Sequence, residues 1–223
     1  IAITTAFLSC KKDNYDPPSS TLTGRIMYKG EAINVEYNQV PFEIYQPGFG
    51  KVGPINGTFT QDGVYSVLLF DGNYKFLIRN GQGPFIWKQT AANTPDTVAT
   101  SVKGNQTKDF EVEPYYMIRN PQFSFTGGKI NGSAKMEKII TDARGKNIER
   151  VSLYINRTQF VSGVDNIGSM NLSAAAITDP NNVKLEVTIP NIIPTQNYVF
   201  ARIGLKIQGV EDLIFSPVVK VSL

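Results

Sequence analysis

The residues able to do chemistry are few, and their types remove most mechanisms. The chain has no histidine and one cysteine, Cys10. A Ser/His/Asp or Cys/His nucleophilic relay and every histidine-bearing zinc site are therefore unavailable. Two glycine-rich stretches, Gly81 to Gly83 and Gly127 to Lys129, lack the Lys-Ser/Thr and the strand-loop-helix setting of a phosphate-cradling loop, and read as turns. Carboxylates remain, and a glycosidase needs two of them about 5 to 9.5 Å apart across a cleft. Glu111, Glu113, Asp62 and Asp71 fall on outward strand faces or at turns, where solvated surface is the ordinary reading. Asp13 and Asp16 sit in an extended segment that does not gather the six to eight or so oxygens calcium takes. The sequence thus predicts no catalytic residue, no metal and no cofactor.

What could bind rather than react is aromatic. Phe85, Trp87, Tyr115 and Tyr116 crowd near one loop and near the junction of the two halves of the chain. Aromatic faces stack on sugar rings, and domain junctions are common ligand sites. Two readings follow: a ligand-binding surface for an oligosaccharide, or rings that fill an interdomain core, since large aromatics are usually buried.

The elements that position these rings are strands. Leu22, Gly24, Ile26 and Tyr28 alternate with Thr21, Thr23 and Arg25, the period of a half-buried strand. Val40, Phe42 and Ile44 repeat the pattern, as do Tyr65, Val67 and Leu69, and then Tyr74, Phe76 and Ile78. The pairs Asp62-Gly63 and Asp71-Gly72 suit tight hairpins, because glycine accepts positive φ without a steric clash. Phe110 and Val112 make a closing strand. Patterning restarts after Pro114, through Phe123 and Phe125, Val151 to Ile155, Val183 to Ile189 and Ala201 to Ile207. From Gly163 to Asp179 no period decides between a long loop and a short helix. The expected fold is all-β: two tandem antiparallel β-sandwiches, 21–113 and 114–223, following an N-terminal remnant of a signal peptide (1–9) and a tether (10–20).

Residues that are apolar or small (Ile1 to Leu8) run into Ser9 and Cys10, and that order resembles a bacterial lipobox. The resemblance implies that Cys10 is the lipid-attachment residue, and acyl chains at about 0.8 kcal/mol per buried methylene would hold the protein at a membrane. Lys11 to Ser20 is polar and Pro-containing and reads as a tether of roughly 30 Å. The charged residues behind Cys10 resemble the surface-export signal of lipoproteins from Gram-negative polysaccharide degraders.

The order Gly24-Arg25-Ile26, Asp62-Gly63-Val64-Tyr65, Asp71-Gly72-Asn73-Tyr74 resembles the prealbumin-like, carboxypeptidase-regulatory-like sandwich. Ile189 to Phe200 resembles the E-to-F connection of fibronectin III and immunoglobulin-like domains, which implies a tyrosine corner at Tyr198. As a whole the chain resembles an uncharacterised, domain-of-unknown-function family of two-domain lipoproteins from glycan-utilisation loci. That resemblance implies a cell-envelope, surface-exposed outer-membrane lipoprotein that is not an enzyme. It would bind oligosaccharide as an accessory of an outer-membrane importer complex; the alternative is a structural, assembly or adhesion subunit making protein contacts. With 22 basic and 19 acidic residues scattered along the chain and a net charge of +3, there is no basic run to mark nucleic acid as a partner.

Overall fold

The computed structural model describes residues 16–48 and 53–223. Cys10, its acylation and all but the end of the tether lie outside the described residues. Within them the regular secondary structure is all strand apart from one short 3-10 turn at Ala174–Ala176.

The first sandwich has two facing sheets. In one, β1 (Ser20–Tyr28) pairs antiparallel from Ser20 to Arg25 with Val64–Leu69 and parallel with Gln106–Thr107 and Phe110–Glu111. In the other, Val98–Val102, Gly72–Leu77, Pro41–Tyr45 and Ile55–Thr58 lie side by side. The alternating residues meet between the sheets as one chain of rings. Phe42 stacks on Phe76 at 4.8 Å, Phe76 on Phe110 at 4.0 Å, and Tyr65 on Phe110 at 5.5 Å. The glycine and tyrosine of the motif have a packing role here. Gly24 passes so close to the Lys108 carbonyl that a Cβ would lie 1.8 Å from it, and the Tyr65 hydroxyl donates to that same oxygen at 2.7 Å.

The Asp-Gly pairs depart from the hairpin expectation. Gly63 does take positive φ, at 69°, in a turn closed by Gly63 N to Thr60 O. Yet Ile55–Thr58 and Val64–Leu69 belong to different sheets, and so do Val64–Leu69 and Gly72–Leu77. Both turns therefore carry the chain across the core. Asp71 serves this crossing by accepting from Ser20 Oγ and Gly104 N, which ties the crossing to the opposite sheet.

In the second sandwich β2 (Tyr116–Thr126), β3 (Lys129–Lys138) and β4 (Val183–Thr188) face β5 (Gly168–Ser173), β6 (Ile148–Asn156), β7 (Tyr198–Ile207) and the paired pieces Ile214–Phe215 and Val219–Ser222. Its core is aliphatic: Ile130, Val151, Leu153, Ile155, Leu185, Val199, Ile203 and Leu205 are buried. The undecided stretch after Gly163 forms an edge strand, β5, paired along β6. Its alternation is short, Met170 and Leu172 against Ser169, Asn171 and Ser173, and its inward residues are only half-buried. Tyr198 is no tyrosine corner. It opens β7 on the outward face, where its ring meets Phe200 at 5.7 Å and lies beneath Lys220 Nζ at 3.9 Å. Its hydroxyl bonds no upstream backbone among the described residues.

The buried side chains of the two sandwiches form one continuous cluster, and the seam between them is hydrogen-bonded. Phe215 N donates to Asn34 O at 3.0 Å. Arg202 is fully buried and its guanidinium spends its donors on three carbonyls: Ser216 O at 2.8 Å and Val161 O at 3.3 Å in its own domain, and Gln61 O at 2.7 Å in the other. The Phe215 ring lies 4.2 Å from its Cζ. Burial pushes the Arg202 pKa down, and the Asp62 and Glu36 carboxylates oppose that. Glu36 and Asp212 are buried too, and each accepts a backbone N–H from the other domain, Val164 at 3.3 Å and Gly83 at 2.9 Å. A buried charge left without such partners costs several kcal/mol, on the order of 3 to 5, so these bonds make the seam intolerant of opening.

Candidate functional site

Beside this seam lies a cleft of about 890 Å³ whose walls come from both domains. The first domain supplies Tyr28 and Lys29, where β1 turns back into Glu31–Ala32, together with the segment from Arg79 through Asn93. The second supplies Arg144 and Lys146 from the loop between β3 and β6. Tyr115, between the domains, is fixed by two backbone bonds, from its own N–H to Pro84 O at 3.2 Å and from Ile139 N to its carbonyl at 3.0 Å.

The turn at Tyr28 is chemically unusual. Lys29 and Gly30 have φ of 50° and 83°, the pair of left-handed residues that a type I′ turn needs and normally fills with Asn-Gly or Gly-Gly. A lysine there costs about 1 to 2 kcal/mol against the right-handed region. Glu111 holds it, accepting from the Lys29 backbone N–H. The Lys29 ammonium lies 5.2 Å from the centre of the Tyr28 ring, and the Lys146 ammonium 5.7 Å from that of Tyr115.

The remaining charges of the cleft are paired. Arg144 holds Glu113 at 2.9 Å and Asp142 at 2.8 Å, and these bonds raise its pKa while the guanidinium lowers that of Asp142. Arg79 pairs with Glu43 at 2.6 Å and Lys88 with Asp96 at 2.8 Å. Each guanidinium or ammonium bond draws its partner carboxyl below the usual range. Partial burial pushes the Tyr115 hydroxyl up, opposed by Arg144.

The structure separates the aromatics that the sequence groups together. Phe85 and Trp87 line the cleft but are each 3% exposed. The indole is packed against Phe76 at 5.9 Å and Phe110 at 5.6 Å, and its N–H donates to Asp96 O at 2.7 Å. No face of Trp87 is left for a sugar, so the stacking role expected of Trp87 and Phe85 is corrected to one in the core. Tyr116 is also buried, with its hydroxyl donating to Lys146 O at 3.0 Å, and it lines a separate hollow with Met136 and Ile148. Of these four aromatics, Tyr115 alone keeps a partly exposed ring in the cleft. Sequence reasoning missed Tyr28, Lys29, Arg144 and Lys146. The one local signal was Lys29-Gly30 in place of the usual Asn-Gly after an alternating strand.

Glu111 and Glu113 both line the cleft, which the strand pattern did not foretell. Glycoside hydrolysis requires one carboxyl held in a dry, apolar pocket as the acid. Glu113 instead has an exposed side chain clamped by Arg144, and Glu111 is exposed and engaged with the Lys29 N–H. No group of three His, Cys, Asp or Glu side chains able to hold a metal occurs among the described residues. A further aromatic pair stands at the seam: Tyr37 and Phe160, 40% and 42% exposed, meet edge to face at 5.3 Å.

Residues 20–113 match the family described as "Protein of unknown function (DUF3823) N-terminal domain", and residues 116–220 match "Domain of unknown function (DUF3823_C)". A DUF3823 family protein from Parabacteroides merdae is 35% identical, with a TM-score of 0.81 over 93% of this chain and 100% of that one. Another from Bacteroides ovatus is 29% identical, with a TM-score of 0.80 over 92% and 100%. A Bacteroides uniformis protein described as a candidate carbohydrate binder shares the fold at 18% identity, with a TM-score of 0.71 over 92% and 100%. None of the curated proteins matches the sequence.

Proposed function

The chain belongs to the DUF3823 family, and on that premise we propose that it is a non-catalytic glycan-binding accessory of a polysaccharide-utilisation system. The observation that carries the reading is the cleft at the domain junction, where Tyr28 and Tyr115 offer partly exposed rings amid a dense set of hydrogen-bonding groups. Sugar recognition needs this mixture, an apolar surface for the ring's C–H groups and oriented polar atoms for its hydroxyls. The fold shared with the Bacteroides uniformis protein makes a carbohydrate the first ligand class to try. In this reading Cys10 carries lipid, the protein stands at the outer membrane facing outward, and an importer complex beside it receives the glycan.

Screening the protein on an array of plant and host oligosaccharides tests the binding role. We expect a bound glycan whose affinity falls about tenfold or more in Tyr28→Ala and in Tyr115→Ala, the loss of roughly 1.4 kcal/mol. An array with no bound glycan, or full affinity in both variants, would sink the reading. For the anchor, the intact mass of protein extracted from membranes should include acyl chains at Cys10, and an unmodified thiol would remove it.

A further inference from the structure

We propose that the cleft selects anionic glycans, with Lys29 and Lys146 reading carboxylate or sulfate groups on the sugar. The inference deepens the glycan-binding reading and rests on it. It starts from the pairing of charge around the cleft. Arg79, Lys88 and Arg144 each hold a carboxylate of the protein. Lys29 and Lys146 hold none among the described residues. The Lys146 ammonium donates to the Gly209 carbonyl at 3.1 Å, a neutral acceptor, and the Lys29 ammonium rests only by the Tyr28 ring.

These two cations are placed alike. Each lies within 6 Å of the centre of a tyrosine ring that lines the cleft, one pair contributed by the first domain and the other at the boundary with the second. A pyranose packed on either ring brings its substituents within reach of the ammonium. An anionic substituent gains a charge-assisted hydrogen bond there, while a neutral one leaves the ammonium without a counter-charge.

The backbone at Lys29 argues independently. Its left-handed conformation would be easier for asparagine or glycine. Strained backbone held in place by its neighbours, here by the Glu111 carboxylate, clusters at ligand-binding positions. A lysine at the tip of this turn projects a charge that the turn itself has no use for.

The opposing charges are Glu111 and Glu113. Glu113 is neutralised by Arg144. Glu111 remains, and it weakens the positive field without cancelling two ammoniums.

Isothermal titration of the intact protein with tetragalacturonate, its fully methyl-esterified form, a chondroitin sulfate tetrasaccharide and cellotetraose tests the inference. We expect one of the acidic probes to bind about three- to tenfold or more tighter than both neutral ones, the range of one or two surface ion pairs, with the advantage shrinking in high salt. A win for tetragalacturonate assigns carboxylate; chondroitin sulfate carries both groups, so a win for it is repeated with the desulfated chain, and loss of binding there assigns sulfate. Lys29→Asn should lose most of the advantage while its melting temperature holds or rises, because asparagine suits the turn. Lys146→Gln should lose part of it. A neutral probe that binds as well as the acids overturns the charge selection and leaves the glycan site standing. An advantage that persists in the Lys29→Asn, Lys146→Gln double variant also overturns it. If none of the four binds, this selection falls, while the broader glycan array still judges the site.

Discussion

The domain junction contains two kinds of charge side by side, and they behave differently. In the seam, Arg202, Glu36 and Asp212 are buried and bonded to backbone atoms, mostly across the domain boundary. In the cleft, Arg79, Lys88, Arg144, Lys29 and Lys146 stand in water, either in exposed ion pairs or by tyrosine rings. Removing a partner from a buried charge is costly, whereas exposed pairs contribute about 0 to 1 kcal/mol. The seam charges therefore fix how the sandwiches sit, and the cleft charges are left free to be used on something else. A rigid seam is also what keeps a cleft with walls from two domains in one shape.

Substitutions can break or sharpen this contrast. The largest effect is expected beneath the cleft: Trp87→Ala should destabilise the protein by about 3 to 5 kcal/mol in urea unfolding, the cost of emptying an aromatic core site. A near-normal stability with lost glycan binding would return Trp87 to the surface role the sequence suggested. Next, Arg202→Met strands the Gln61, Val161 and Ser216 carbonyls and should cost roughly 3 kcal/mol. It should also split a single thermal transition into two if the seam is what couples the domains.

A smaller effect concerns pH. Burial raises the pKa of Asp212 above its ordinary 3.8, against the Gly83 N–H that lowers it. A raised carboxyl pKa means that the folded state holds the proton more tightly than the unfolded one. Its contribution is thus fully present below the unfolded value and is lost as pH rises through the folded one. Asp212→Asn, which keeps an acceptor for Gly83, should flatten stability from pH 4 upward and gain most near neutrality; an unchanged pH profile would show that Asp212 is solvated. The smallest effect is expected for Arg144→Gln, under about 1 kcal/mol because its pairs are exposed. A loss of several kcal/mol there would erase the distinction between seam and cleft.

The strands were legible because core residues alternate. Leu22, Gly24 and Ile26, or Val183, Leu185 and Val187, face one way and solvent the other. Sheet membership was not, since an Asp-Gly turn closes a hairpin or a crossing with the same local chemistry. The aromatic cluster misled because Tyr115 lies in the bend just before β2 and Tyr116 opens that strand, so the two line different hollows. Arg202 reads as one outward position of β7, and it is covered by Val161, Phe215 and Ser216 from distant parts of its own domain together with Gln61 of the other. Lys29 and Lys146 are brought to one cleft by the docking of two domains, a relation that no local spacing encodes.

A crystal structure with the best-binding array oligosaccharide tests the central claim most directly. The account predicts sugar rings against Tyr28 and Tyr115, between the two domains, with Lys29 and Lys146 reaching their substituents. Sugar seated on the exposed Tyr37 and Phe160 pair, with the junction cleft vacant, would contradict it.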